Sequence, residues 1–96
     1  MSCYDMIMSR RKEIKEILER GGCLEPKLFG SVARKEDTEK SDIDILYTPA
    51  VGANYYDICG AELELTELLG KEVELVNNRT LKDLFRPHIE RDLVPL

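Results

Sequence analysis

The sequence predicts one α/β (α+β) domain, in which helices pack against a small mixed β-sheet of three or more strands. Residues 4 to 20 and 55 to 69 place apolar side chains at helical spacing. Residues 43 to 47, by contrast, are rich in the β-branched, aromatic and apolar types that favour a strand. With 96 residues, 43% of them hydrophobic and 34% charged, the chain is typical of a single globular domain spanning residues 1 to 96.

The first half of the chain is predicted to contain a long helix, a short strand and a short helix. The apolar stripe and alternating charges of residues 4 to 20 indicate an amphipathic helix. Gly21-Gly22 is expected to end it, because glycine readily takes the left-handed conformation past a helix C-terminus. Residues 26 to 29 predict a short strand leading into a glycine, and residues 31 to 35 predict one or two helical turns.

The middle of the chain is predicted to contain two strands that flank a second long helix. Residues 43 to 47 form the first of these strands, closed by Thr48-Pro49. The helix covers residues 55 to 69 and stops at Gly70. Residues 71 to 76, KEVELV, alternate with period two and predict the second strand.

Two weaker signals follow the last predicted strand. Thr80 and Asp83 resemble a capping box, which predicts that a short helix begins there. Pro87 suits the first turn of a last helical segment that extends to about Asp92. The predicted order is therefore helix, strand, short helix, strand, helix, strand, helix.

The charge balance limits the kinds of partner that the protein can have. Asp and Glu number 19 against 14 Lys and Arg, a formal net charge of −5. Proteins that grip long nucleic acids usually present a basic surface, so direct nucleic-acid binding is not expected, whereas a nucleotide carried with metal ions is compatible. No apolar run approaches the ~20 residues that span a bilayer, and the N-terminus does not resemble a secretory signal. We therefore expect no membrane association and a cytoplasmic location.

The cysteines and the histidine point to no metal or disulfide chemistry. Cys3, Cys23 and Cys59 are odd in number and widely spaced, which fits neither a disulfide framework nor a zinc site. Each thiol is expected to act as a small apolar filler. His88 is the single histidine and cannot form a histidine-rich metal site alone.

Two aspartates in a predicted strand are the first candidates for chemistry. Asp42 and Asp44 are two residues apart, so their side chains leave the same face of the strand. Two ionised neighbours repel each other, and a hard divalent cation such as Mg²⁺, which prefers oxygen ligands, would remove the conflict. Taken alone, however, a D-x-D dipeptide is more often a solvated strand edge.

Two further features could complete such a site. The glycine of Gly30-Ser31 lets the backbone approach a phosphate closely, and the serine offers a hydroxyl, although a plain turn has the same sequence. Glu72 and Glu74 share one face of the third predicted strand, and Glu74 lies nearer its centre. If this strand neighbours the one with the aspartates, Glu74 could complete a cluster of three carboxylates. A half-exposed strand remains the alternative for both glutamates.

The spacing of these residues forms a recognisable signature. Gly30-Ser31, ten residues and then Asp42-x-Asp44 make the G-S-x10-D-x-D pattern of polymerase-β-type nucleotidyltransferases. The longer stretches LFGSVARKEDTEKSDIDILY, ELELTELLGKEVELVNNRTLKD and IERDLVPL resemble the minimal nucleotidyltransferase (MNT) family from about Leu28 to the end of the chain. The resemblance implies a nucleotidyltransferase fold.

The resemblance also implies roles for particular residues. Gly30 and Ser31 match the family's phosphate-contacting turn, which holds a nucleoside triphosphate. Asp42 and Asp44 match its metal-binding pair, and Glu74 stands where the family usually has its third acidic residue, an aspartate. These three carboxylates are therefore the expected catalytic residues and ligands of Mg²⁺, with two ions expected and ATP as substrate.

Three cations and two departures from the family pattern accompany this site. Lys27, Arg34 and Lys35 lie near enough in sequence to assist the phosphates, although solvated surface charges are the commoner alternative. Lys35 stands where the family commonly has glycine. Glu74 is one methylene longer than the usual aspartate, which bears on catalytic rate more than on metal binding.

The resemblance further implies a partner. MNT proteins act as antitoxins of HEPN-domain toxins, in several cases by adenylylating a tyrosine of the partner. The present chain has no evident acceptor-binding domain, so the acceptor is expected on a HEPN ribonuclease in a hetero-oligomer. Two alternatives remain open, namely a catalytically weak nucleotide-binding module that silences its partner by occlusion, and a transferase acting on a small-molecule hydroxyl.

Overall fold

A computed structural model describes residues 2–96 and contains a four-stranded sheet in the order β3-β2-β1-β4. The elements follow the chain as α1 (Cys3–Ser9), α2 (Arg11–Arg20), β1 (Cys23–Phe29), α3 (Gly30–Ala33), β2 (Ile43–Pro49), α4 (Tyr55–Leu69), β3 (Val73–Asn77), α5 (Arg86–Glu90) and β4 (Val94–Pro95). β1 is antiparallel to β2 and β4, whereas β2 and β3 are parallel. The predicted mixed α/β fold is confirmed.

The predicted helix of residues 4 to 20 is wrong in one respect, because it is broken at Arg10. That residue leaves the helical conformation (φ −110°, ψ 13°), and its guanidinium Nη1 donates to the carbonyl of Leu68 at 3.1 Å. Ile7 and Ile14, on either side of the break, are both fully buried. The apolar spacing therefore continues across the break, and the sequence pattern could not reveal it.

β1 begins three residues earlier than predicted. Its pairing with β2 is irregular between Leu24 and Lys27, and Glu25 within this irregularity has φ 49°. A bulge of this kind interrupts the alternation of inward and outward side chains on which strand prediction depends. Beyond it the register is regular, with Leu28 opposite Ile45.

The β2–α4–β3 unit follows the prediction closely. α4 covers the predicted residues and ends at Gly70 in the left-handed conformation (φ 67°). Asn54 is the N-cap of α4, and its side chain accepts the Asp57 N–H at 2.8 Å. β2 extends to Pro49, two residues past the predicted end. β3 begins at Val73 and ends at Asn77, two residues and one residue later than predicted, and it runs parallel to β2, an arrangement that the helical crossover permits.

The C-terminal segment departs most from the prediction. No helix begins at Thr80, because its hydroxyl donates to the Asn77 carbonyl at 3.3 Å within a turn, so the predicted capping box is wrong. α5 contains Pro87 in its first turn, as predicted, but ends at Glu90 rather than near Asp92. The two-residue strand β4, which pairs with β1, was not predicted because it is too short to show a pattern.

The hydrophobic core lies between the helices and one face of the sheet. Ile43 and Ile45 of β2 are fully buried there, as is Leu65 of α4. Cys23 is also in the core, and burial raises the pKa of its thiol to about 11, so it stays protonated, as expected for an apolar filler. In the described residues the longest helix has 15 residues, and none has the length and apolarity to cross a membrane.

The contact between α2 and α4 depends on a glycine at the end of α2. A Cβ at Gly21 would lie 2.8 Å from the Ala61 Cβ and 3.2 Å from the Asp57 carbonyl oxygen. We expect Gly21→Ala to lower the free energy of unfolding by about 1–3 kcal/mol through overpacking. Gly60→Ala is the matched control, since a Cβ at Gly60 meets nothing within 4 Å. In mid-helix it should stabilise by about 0.5–1 kcal/mol, and urea unfolding of both variants measures the difference. Equal midpoints would contradict this packing.

Candidate active site

The turn at Gly30 connects the end of β1 to α3 and lies directly beside Asp44. Phe29 is the register partner of Asp44 in β2, and Gly30 follows it with φ +79°. A Cβ built at Gly30 would lie 2.5 Å from Oδ2 of Asp44. Only a glycine therefore leaves room for this carboxylate, and the backbone approaches it without a side chain between them.

Asp44 and Glu74 are neighbours on parallel strands. They are register partners in the pairing of β2 with β3. Their positions agree with the alternation of buried and open faces, because Ile43, Ile45 and Val73 are buried on the opposite face. The strands thus bring one predicted aspartate beside the predicted third carboxylate.

The surroundings of Asp44 disfavour its negative charge. Burial is the largest cause, followed by repulsion from Glu74 and then from Asp42, and by a hydrogen bond with Glu74 that favours the protonated form. Together they raise the pKa of Asp44 from 3.8 to about 6. Arg34 opposes the shift only in part. Asp44 is therefore a carboxylate that a cation would stabilise in its ionised form.

Asp42 lies at the rim of the same region. It is exposed and immediately precedes β2, and its repulsion contributes to the raised pKa of Asp44. The next residue, Ile43, donates its N–H to the Glu72 carbonyl at 2.9 Å, which ties the start of β2 to the start of β3. Glu72 contributes this backbone contact, while its side chain is exposed.

The donor set fits a hard divalent cation. Asp42, Asp44 and Glu74 supply carboxylate oxygens, which Mg²⁺ prefers. Within residues 2–96 no three or more His, Cys, Asp or Glu side chains already converge as metal ligands. Asp42 and Glu74 are exposed, however, so their side chains have room to turn toward an ion beside Asp44.

The nearby cations have different surroundings. Arg34 follows α3 and pairs with Asp92 at 2.6 Å and with Glu36 at 3.1 Å. The ammonium group of Lys35 lies over the ring of Tyr4, 4.7 Å from its centroid. Arg34 and Lys35 therefore have protein partners, rather than being solvated charges alone.

Lys71 makes a contact that the sequence did not predict, since the residue was expected only to begin a strand. Its Nζ donates to the Thr38 carbonyl at 3.0 Å, within the loop that leads to Asp42. The polar loop is thus attached to the rest of the protein. A lysine three residues before Glu74 was the available signal, but nothing in the sequence indicates its distant partner.

Comparison with known proteins places this chain in a family. The sequence pattern of the family described as "Polymerase beta, Nucleotidyltransferase" matches residues 12–95. A Methanocaldococcus jannaschii protein named provisionally as a protein adenylyltransferase, MJ0435, is 36% identical over 84 residues, which is 88% of this chain and 90% of that protein. Protein adenylyltransferase MntA of Thermococcus cleftensis is 36% identical over 80 residues, which is 83% of this chain and 81% of that protein.

Solved structures agree with this match. One solved structure is described, also provisionally, as a minimal nucleotidyltransferase. Its TM-score is 0.86 at 33% identity, and the match covers 97% of this chain and 95% of that chain. A toxin–antitoxin structure with AMP-PNP has a TM-score of 0.73 at 21% identity, covering 88% of this chain and 69% of that one. For the tri-AMPylated Shewanella oneidensis HEPN toxin in complex with MNT antitoxin the TM-score is 0.68 at 19% identity, covering 92% and 69%. At their low identity the last two support the fold alone. The chain therefore belongs to the polymerase-β-type nucleotidyltransferase family, as its resemblance to the minimal members implied.

Proposed function

We propose that this protein is an antitoxin that transfers AMP from ATP to a tyrosine of a HEPN ribonuclease toxin and so neutralises it. The observation that carries the proposal is the placement of Asp44 between the Gly30 turn and Glu74. Membership of a nucleotidyltransferase family supports the reaction type. Relatives named protein adenylyltransferases support a protein as acceptor. The resemblance of the sequence to the MNT family, whose members act as antitoxins of HEPN-domain toxins, supports the kind of partner.

The residues of the chain would divide the reaction between them. The backbone at Gly30, with the Ser31 hydroxyl, would hold the β- and γ-phosphates of ATP. Asp42, Asp44 and Glu74 would hold Mg²⁺, with two ions expected. The bound metal supplies charge stabilisation at the attacking and leaving oxygens. Because ionised Asp44 is disfavoured without a cation, binding the metal nucleotide would also relieve its repulsion with Glu74.

The transfer step balances without a further reactant. The tyrosine hydroxyl oxygen forms a bond to the α-phosphorus as the bond to the β-phosphate oxygen breaks, in line, and pyrophosphate leaves. Glu74 would take the tyrosine proton, since it is exposed beside Asp44 and open to an incoming side chain. The products are an AMP-modified tyrosine, pyrophosphate and a proton.

The position of an isotopic label tests the reaction type. The chain is mixed with the proposed HEPN toxin, with Mg²⁺ and with ATP labelled at either the α- or the γ-phosphorus. Adenylyl transfer places the α label on the partner and releases the γ label as pyrophosphate. Incorporation of the γ label into protein would instead indicate a kinase and overturn the proposal.

The space beside Gly30 makes a second prediction. Gly30→Ala should lower the transfer rate by about 100-fold, because its Cβ would displace the Asp44 carboxylate, and small misplacements at a reacting centre cost about that much. Gly52→Ala is the matched control, since Gly52 has φ +82° and nothing within 4 Å of an added Cβ. It shares the backbone strain without the clash. Equal loss of rate in both variants, measured at matched folded fractions, would refute a specific role for the Gly30 turn.

A further inference from the structure

Residues 35 to 41, the loop that leads from α3 to Asp42, are ordered by hydrogen bonds within the protein. Near its start, the Glu36 N–H donates to the Ser31 carbonyl at 2.9 Å. At its end, residues 38 to 41 form a tight turn in which the Ser41 N–H donates to the Thr38 carbonyl at 3.0 Å. The Thr38 N–H donates in return to the Ser41 hydroxyl at 2.8 Å. We call residues 38 to 41 the connector turn, and Asp42 follows it directly.

Lys71 attaches the connector turn to the short link between α4 and β3. Its Nζ donates to the Thr38 carbonyl at 3.0 Å and lies 3.8 Å from Oδ2 of Asp37. The two side chains are only 20% and 19% exposed. The Arg20–Glu64 pair, by comparison, is 68% and 48% exposed. Exposed ion pairs contribute little to stability. The ammonium group of Lys71 is less exposed and also donates a hydrogen bond to a carbonyl, so it should restrain the loop more strongly than an exposed pair would.

The position of Lys71 connects this restraint to the candidate site. It lies three residues before Glu74, and the connector turn ends next to Asp42. The hydrogen bond from the Ile43 N–H to the Glu72 carbonyl joins the same two segments on the other side of Asp42. Asp42 is thus held between two attachments to the beginning of β3.

We propose that Lys71 is a positioning residue, which fixes Asp42 relative to Glu74 so that both carboxylates can serve one metal–nucleotide complex. This inference rests on the proposed function and extends it to a residue that does not itself touch substrate. Without Lys71 the connector turn would lose its link to β3, and binding the metal would first require ordering Asp42. Partners that orient metal ligands typically change metal affinity by about 10–100-fold when they are removed.

Metal binding without turnover tests this inference. Lys71→Met removes the charge and the donor but keeps the apolar stem, and Lys71→Arg keeps both charge and donors. Lys40→Met is the control, because Lys40 is an exposed lysine of the connector turn itself. Calorimetric titration of each folded variant with Mg²⁺ in the presence of AMP-PNP gives the affinity, and amide hydrogen exchange reports the order of the connector turn.

We expect Lys71→Met to weaken Mg²⁺ binding by about 10-fold and to speed exchange in the connector turn. Lys71→Arg should recover most of the affinity, and Lys40→Met should behave as wild type. If the wild type binds Mg²⁺ and Lys71→Met binds it with the same affinity, the inference is overturned and the proposed function still stands. This holds even if Lys71→Met unfolds at a lower temperature. No Mg²⁺–AMP-PNP binding by the wild type would overturn the proposed function itself, and this inference with it.

Discussion

Changing Asp42 and Asp44 together to alanine is expected to abolish the proposed AMP transfer while leaving the chain able to form a complex with the proposed HEPN partner. The two carboxylates would carry most of the metal-based charge stabilisation, so we expect the rate to fall by at least about 1,000-fold. Neither residue belongs to the buried core, so the fold should survive. Intact-mass spectrometry of the partner measures the transfer, and size-exclusion chromatography measures the complex.

The same double variant separates transfer from simple occlusion. If the variant still inhibits the ribonuclease activity of the partner, occlusion neutralises the toxin and AMP transfer is not required. The matched control is Glu13→Ala with Glu16→Ala, which removes two exposed carboxylates from α2, away from the site. Undiminished transfer by the aspartate variant would show that the proposed metal-binding pair is wrong.

Asp44→Asn is expected to make the metal-free protein more stable at neutral pH, even though the proposed function requires that it inactivate the site. In the folded state the pKa of Asp44 is raised to about 6 from the ordinary 3.8. The folded state therefore binds this proton more tightly than the unfolded state. The free energy of unfolding of the wild type therefore falls as pH rises from about 4 to about 6. Above about pH 6 the ionised Asp44 lowers it by the full amount.

The size of this effect is limited by solvent screening. A shift of about two pKa units corresponds to at most about 3 kcal/mol. Asp44 is only half-buried, so we expect about 1 kcal/mol, or roughly 4–8 °C in Tm, at pH 7.5. Near pH 4 the variant and the wild type should converge, and Asp42→Asn, at an exposed position, should gain less. Thermal unfolding without metal at both pH values measures this, and a loss of stability in Asp44→Asn at pH 7.5 would contradict the stated repulsion.

How far the fold could be predicted depended on how local its causes are. The boundaries of α4 follow from local signals, namely its apolar stripe and the stop at Gly70. The break at Arg10 could not be predicted, because it accompanies a hydrogen bond to Leu68, 58 residues away. The length of β1 was underestimated, because the irregularity around Glu25 hides the alternation.

The candidate site likewise has features that the sequence could indicate and features that it could not. Spacing offered Glu74 only as a possible neighbour of the aspartates, on the condition that the two strands lie side by side, and the family resemblance supplied its expected role. The structure meets that condition, because β2 and β3 are parallel with Asp44 opposite Glu74. The fit of the Asp44 carboxylate beside Gly30 depends on the register of β1 with β2, which no sequence pattern shows. The contact made by Lys71 was not predicted, because its partner, the Thr38 carbonyl, is a backbone group of another segment.

Mapping AMP on the HEPN partner tests the central claim most directly. The chain, shown beforehand to bind Mg²⁺–AMP-PNP, is incubated with the partner, ATP and Mg²⁺, and the partner is analysed by intact-mass and peptide mass spectrometry. The account predicts an added mass of one or more AMP groups, located on tyrosine, with a parallel loss of ribonuclease activity. An unmodified partner from such a binding-competent preparation would contradict it.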